Sequence, residues 1–273
     1  MTTVALIVTT YQWPEALDLV LTSASEQVRM PDEIHIADDG SGPSTARLVE
    51  HWADKLASPV HHHWQEDRGF RPNPVRNEAI ARSTCDLVIT VDGDMILHPN
   101  FVYDHLLFAR PRQFIQSRRV RLDQRLTAQS LQQKRSCFSA FTPGVRRRIQ
   151  AIRGLRMARW LSRVENTFRH IRGANMSMWR DDFIAVNGFD EDFTGWGFED
   201  HDLTARLYHL GCNRLYLRQA GLAYHLEHED NSRDRKSLNQ ALFEDTLSRG
   251  KVRCANGLAE NHALQDAQRA DMI

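Results

Sequence analysis

Asp92-Gly93-Asp94 places two carboxylates one small residue apart, directly after the apolar run Leu87–Val91. Such a pair can hold a divalent cation and leave room for a ligand. Hard oxygen donors suit Mg²⁺ or Mn²⁺, and diphosphate oxygens would fill further positions. The glycine lets the backbone come close to that ligand. Taken alone, the triplet reads equally well as a solvated turn. Asp38-Asp39-Gly40-Ser41 ends a second apolar run. Its carboxylates can accept hydrogen bonds from a base N–H or from ribose hydroxyls, although Asp-Gly is also a strong turn signal.

A third constellation runs from Asn187 to Asp202 and contains Gly195-Trp196-Gly197-Phe198-Glu199-Asp200. Small residues on both sides of Trp196 would present its ring as a platform for the apolar face of a sugar. Glu199 and Asp200 open an expected helix, Asp202–Leu210, where the helix dipole favours carboxylates. Capping that helix is the competing role, but it leaves a tryptophan between two glycines unexplained. A fourth is Tyr224-His225-Leu226-Glu227-His228-Glu229, where a neutral imidazole could ligate a metal. With 13 histidines in the chain, chance is a serious competitor.

The elements that must position these residues alternate. Strands are expected at Val4–Thr9, Ile34–Ala37, Val60–Trp64 and Leu87–Val91. Helices are expected at 14–26, Ser44–Leu56, Pro74–Arg82 and Pro99–Phe108. Strand–helix alternation predicts an α/β fold with a parallel sheet covered on both faces, whose ligands bind at the carboxyl edge. No GxGxxG follows the first strand and no GxxxxGK[ST] occurs, which argues against a dinucleotide dehydrogenase or a P-loop NTPase.

The chain has 273 residues with 35 basic and 35 acidic side chains. The balance conceals a split. Between Arg110 and Arg172 there are 17 Lys and Arg against two acids, a net of +15, and the remainder carries −15. Within this stretch Met157, Trp160, Leu161 and Val164 recur at helical spacing, with Arg156, Arg159 and Arg163 on another face. Four widely spaced cysteines without CxxC spacing suit a reducing compartment. No 18-residue apolar run is present, and the first residues, MTTVALIVTT, lack the basic region of a secretory signal. A cytoplasmic chain is expected.

These segments together resemble the inverting glycosyltransferases of family 2, which have the GT-A fold, a Rossmann-like nucleotide-sugar-binding architecture. The C-terminal part is similar to the segment shared by β-1,4-galactosyltransferases and bacterial chondroitin-type polymerases. The resemblance covers about residues 3–108 and 171–245. It is carried by VTTYQWPEALDLVLTS, ADDGS, QEDRGFRPNPVRNEAI, DGDMILHPNF, GANMSMWR, NGFDEDFTGWGFEDHDL and AYHLEHED.

The resemblance implies a mostly parallel sheet flanked by helices, a UDP-sugar donor and Mn²⁺ or Mg²⁺. Within one GT-A domain it implies a donor-binding half (1–109) and an acceptor and catalytic half (171–250), while composition sets off an arginine-rich helical insert or lid (110–170) and a polar tail (251–273). By the same resemblance Thr9, Thr10 and Tyr11 border the uracil, and Asp38 or Asp39 meets base or ribose. Arg68, Arg76 and Asn77 hold the nucleotide. Asp92 reaches ribose or the metal through water, and Asp94 ligates the metal with His225, for which His228 is the rival. Asp200 is the base, and Glu199 joins Trp196 in binding the acceptor.

The middle stretch carries no family motif. An arginine-rich amphipathic segment suits an anionic membrane surface, at the inner face of the cytoplasmic membrane, or an anionic acceptor. A mobile lid and a nucleic-acid contact are the alternatives, and no helix-turn-helix, zinc-finger or RNP-like pattern supports the last. Two function classes remain beside each other: a transferase building a surface glycan of the lipopolysaccharide type, and a non-catalytic module that binds a sugar nucleotide or glycan.

Overall fold

The structure is a computed structural model that describes residues 1–229 and 234–258. Its first part is built from β1 (Val4–Thr10), α1 (Pro14–Ser25), β2 (Glu33–Asp38), α2 (Pro43–Lys55), β3 (Val60–Trp64), α3 (Pro72–Arg82) and β4 (Leu87–Asp92). Each of these three helices begins on a proline. Proline fits the first turn because its missing N–H would have no intrahelical partner there. The strands pair in parallel in the order β3-β2-β1-β4. β1 is buried along almost its whole length, as its unbroken apolar sequence requires.

The chain continues through β5 (Met95–Leu97), α4 (Phe101–Phe108), β6 (Gln113–Ser117), β7 (Arg119–Arg121) and α5 (Gln124–Gln133). A 3-10 turn at Arg148–Ala151, α6 (Leu155–Leu161), β8 (Arg163–Val164), β9 (Asn175–Trp179) and α7 (Arg180–Ala185) follow. α8 (Glu199–His209), β10 (Asn213–Leu217), β11 (Ala223–His225) and α9 (Lys236–Ser248) complete the described elements. The large sheet has the order β3-β2-β1-β4-β9-β6-β10-β8, and β5-β11-β7 form a small second sheet. β9 runs antiparallel between β4 and β6, so the mostly parallel sheet is mixed on this side.

Two apolar layers cover the large sheet. One packs Leu17, Val20 and Leu21 of α1 on Val4, Leu6 and Val8. The other packs Val75 and Ile80 of α3, together with Phe183, Leu203 and Leu207, on Ala5, Ile7 and Val88. Alternate residues of β1 thus serve opposite layers, as the period of a strand dictates.

The span 110–170, expected as an insert or lid, is woven into this framework. β6 lies inside the large sheet and β7 inside the small one. Val120, Leu122, Leu126, Phe138 and Val145 share a core cluster with Ala16, Leu19 and Ile96. Of the expected tail, residues from 259 onward lie outside the described residues. Before them, Cys254 and Leu258 are buried, and Leu258 joins the layer around α3.

Candidate active site and metal centre

The strand order reverses at β1, with β2 on one side and β4 on the other. A crevice at the carboxyl ends follows from that reversal. Thr9 is the register partner of Asp92, and Thr10 that of Asp38. Three of the expected site segments therefore meet along one sheet edge.

Arg76, on α3, reaches over that edge. Its Nε donates to Thr9 Oγ1 at 2.9 Å and its Nη2 to Asp92 Oδ1 at 3.3 Å. Its Nη1 is buried and unpartnered. Burial pushes Asp92 up to about 6, Asp94 and Asp200 add to the shift, and Arg76 opposes it.

Asp94 follows across the glycine and meets two imidazoles. Its Oδ2 lies 2.9 Å from His228 Nε2 and 3.4 Å from His225 Nε2. β11 brings His225 there by pairing antiparallel with β5, and the Leu226 N–H donates to the Asp94 carbonyl at 3.0 Å. The sequence set His225 against His228, whereas the fold brings both to one carboxylate. Burial holds His225 down to about 4. The hydrogen bond to Asp94 carries His228 up to about 9. Burial opposes the charge on Asp94, but both imidazoles outweigh it and lower its pKa.

Glu199 and Asp200 start α8, after Phe198 in a left-handed conformation at φ 71°. Asp200 Oδ2 accepts from the Gly173 N–H at 2.6 Å, and Asp200 Oδ1 is buried without a partner. Glu199 accepts from the Gly197 N–H at 3.0 Å. Burial, then the charge of Asp200, pushes Glu199 up to about 8. Trp196 sits between Gly195 and Gly197, both at positive φ, and its side chain is partly exposed. Only glycine adopts that backbone on both sides of the ring at low cost.

Other expected contacts are arranged differently. Both Asp38 oxygens hold the edge itself, one accepting from the Ser41 N–H and the other facing His62. Asp39 accepts from Gln65 and from the Arg71 N–H, and burial raises its pKa. Tyr11 is exposed and donates to Asp67 at 3.0 Å. Arg68 is exposed and paired with Glu66. Asn77, expected beside the nucleotide, is fully buried and braces the next segment instead. Its amide donates to the Phe189 carbonyl and Glu191, and its oxygen accepts from the Phe189 N–H.

Arg119 was not among the expected residues. It stands on β7 beside β11, its Nε is buried without a partner, and its charge acts on both Asp92 and Asp94. In sequence it is one arginine of a long basic stretch, and a three-residue strand gives no periodicity to single it out.

The family model for glycosyl transferase family 2 matches residues 5–165, more than half of the chain. The chain belongs to glycosyl transferase family 2. A second model, described as the N-terminal domain of galactosyltransferase, matches residues 153–229, which include Gly173, Trp196, Asp200 and both imidazoles.

This family 2 chain is 29% identical over 236 residues to validoxylamine A glucosyltransferase of Streptomyces hygroscopicus subsp. limoneus, covering 79% of the chain and 50% of that protein. It is 24% identical over 251 residues to chondroitin synthase of Pasteurella multocida (strain Pm70), covering 85% of the chain and 26% of that protein. The chain thus spans half or less of the length of these relatives. The solved structure of mannosyltransferase PcManGT from Pyrobaculum calidifontis in complex with GDP-Man and Mn²⁺ matches with a TM-score of 0.61 at 16% identity, over 91% of this chain and 64% of that one. That likeness establishes a GT-A fold.

The residues present fit the cation that family 2 implies. Among the described residues, one group of three His, Cys, Asp or Glu side chains has its ligand atoms mutually within 4.8 Å: Asp94, His225 and His228. Oxygen and imidazole donors suit Mn²⁺. Asp94 Oδ1 and His225 Nδ1 are buried polar atoms without a hydrogen-bond partner, which is costly unless a ligand satisfies such groups.

Proposed function

We propose that the chain is a metal-dependent inverting glycosyltransferase, moving a sugar from a UDP-sugar to a glycan or lipid-linked acceptor in surface polysaccharide synthesis. A cytoplasmic location follows from this reading, where the donor would be met. Among the described residues no helix is long and apolar enough to cross a membrane.

One observation carries the proposal. Asp200 is held by the Gly173 N–H through one oxygen and has no hydrogen-bond partner on the other, and it lies close enough to Asp92 for its charge to act on that group. This fixed carboxylate near the donor end supports the reading of Asp200 as the base. In a single displacement the acceptor hydroxyl attacks the anomeric carbon as Asp200 takes its proton, and no covalent enzyme intermediate is needed. Glu199, protonated near pH 7, donates a hydrogen bond to the acceptor instead of competing for that proton. Trp196 supplies an apolar face for the acceptor sugar. Arg76 and Arg119 hold the diphosphate, and Thr9, Thr10 and Tyr11 border the base. Asp94, His225 and His228 would hold Mn²⁺ or Mg²⁺, which offsets charge on the leaving nucleotide.

The test is a panel of UDP-sugars with Mn²⁺, read by thermal shift and by release of UDP. Donor stabilisation with UDP release that disappears in Asp200→Asn is the expected result. Donor binding without release, on any acceptor, would favour the alternative of a non-catalytic sugar-nucleotide or glycan-binding module.

A further inference from the structure

Residues 141–164 contain seven arginines and no acid. The same stretch exposes Phe141, Ile149, Ile152, Met157, Trp160 and Val164 to solvent, with Phe141 at 84%, Trp160 at 82% and Ile149 at 75%. α6 turns Ala158 inward against Ile115 and Leu217, so it already has a core-facing side. The exposed side chains lie outside that contact. Large apolar residues rarely collect on a free surface without a partner.

The two short helical pieces are held as one surface. Gln219, after β10, donates to the Ile149 carbonyl at 3.0 Å and accepts from the Gly154 N–H at 2.9 Å. Between them lies a cavity of about 160 Å³ lined by Ile149, Gln150, Leu161, Arg118, Arg218 and Gln219, among others. Arg218 Nε and Gln219 Oε1 are buried there without partners. Arg153 is held by Asp104, but Arg147, Arg148, Arg156, Arg159 and Arg163 are exposed.

We propose that this face docks on an anionic lipid bilayer, with Ile149, Ile152, Met157 and Trp160 entering the headgroup–acyl boundary. The arginines engage headgroup phosphates, and the cavity beside Arg218 takes one of them. Basic side chains contribute about 1 kcal/mol each near an anionic leaflet, and tryptophan favours the interface. A second copy docking symmetrically would bring the same arginine-rich face against this one. Nucleic acid would satisfy the arginines but offers no apolar phase for the isoleucines. The inference is independent of the proposed catalysis, because lipid binding needs neither donor nor metal.

The experiment is sedimentation of the full chain with vesicles of phosphatidylcholine alone, or with about 30% phosphatidylglycerol, at low and high salt. Binding to the anionic vesicles only, weakened by salt, is expected. Ile149→Ser with Trp160→Ser should lower partitioning roughly tenfold at low salt, and Arg147→Gln with Arg148→Gln should lower it for anionic vesicles. Thermal midpoints of both variants should match the wild type, since these side chains are exposed. Absence of binding at low salt would overturn the proposal. So would full binding by the Ile149/Trp160 variant, which would reduce the effect to surface adsorption, or displacement from vesicles by equimolar duplex oligonucleotide.

Discussion

Asp200 receives the Gly173 N–H at 2.6 Å, and the two residues approach so closely that a β-carbon on Gly173 would overlap Asp200 Oδ1. Gly173 has no positive φ to forbid an alanine. Gly173→Ala should therefore fold while moving the base off its hydrogen bond. A displacement of this kind costs on the order of 10²-fold in rate. The check is kcat beside the thermal midpoint. A variant that keeps wild-type turnover would remove Asp200 from its assigned place.

Glu199 and Asp200 should separate on substitution. Asp200→Asn is expected to abolish transfer and leave UDP–Mn²⁺ binding by calorimetry largely intact. Glu199→Gln imitates a protonated acid and should cost less than about tenfold at pH 7. Burial and Asp200 place Glu199 at about 8, so wild-type kcat/KM should fall above that pH as a second charge forms beside the base. The glutamine variant should lose this alkaline decline. A profile identical to wild type would contradict the assignment.

Both imidazoles meet Asp94, so His225→Ala and His228→Ala should each weaken Mn²⁺ binding by at least the roughly 10- to 100-fold that loss of an outer-shell partner costs. Titration of Mn²⁺ by paramagnetic resonance measures this without turnover. If one substitution is silent, that ring is not a ligand.

Asn77 distinguishes two roles. As a brace to Phe189 and Glu191, its change to alanine should cost about 1–3 kcal/mol of stability through stranded polar groups and leave UDP affinity nearly unchanged. A large loss of UDP affinity at unchanged stability would instead restore it to the nucleotide.

Acid should destabilise the fold in a defined window. Burial lowers both His35 and His105 to about 4. Each is neutral in the fold and gains a proton more readily when unfolded, so stability falls as pH drops from about 6.5 towards 4. Each pKa unit is worth about 1.4 kcal/mol, giving roughly 3 kcal/mol per histidine. Glu33 extends the loss. Burial opposes its charge, but Thr84, Ser83 and His35 hold it down to about 2, so its contribution disappears from about 4.5 to 2. Urea unfolding at pH 7, 5 and 4 measures the slope, and a flat response would exclude it.

The first four strands were legible because parallel strands covered on both faces are written as unbroken apolar runs, as in Val4–Thr10. β6 was not, because QFIQS interrupts its apolar pair with glutamines on both sides, at Gln113 and Gln116. Gln116 is fully buried, accepting from Arg214 and donating to the Arg172 carbonyl. A strand whose polar positions are satisfied by distant arginines carries no hydrophobic signature of its own. β5 and β7 have three residues each, too few for any period. Asp92 and Asp94 were readable from local spacing as candidates, and Asp200 through the resemblance. Gly173 and Arg119 were not, because what distinguishes them is a neighbour far along the chain.

The small sheet makes His225 wait for three separate stretches of chain. Asp94 precedes β5, Arg119 begins β7, and β11 lies between them. A ribosome that has released the first 109 residues has delivered Asp94 without either imidazole. The candidate metal group is completed only when residue 228 has emerged, so residues 1–109 alone would carry one of its three side chains. On that reading, cation binding during synthesis would mark the moment at which Asp94 first meets its two imidazoles.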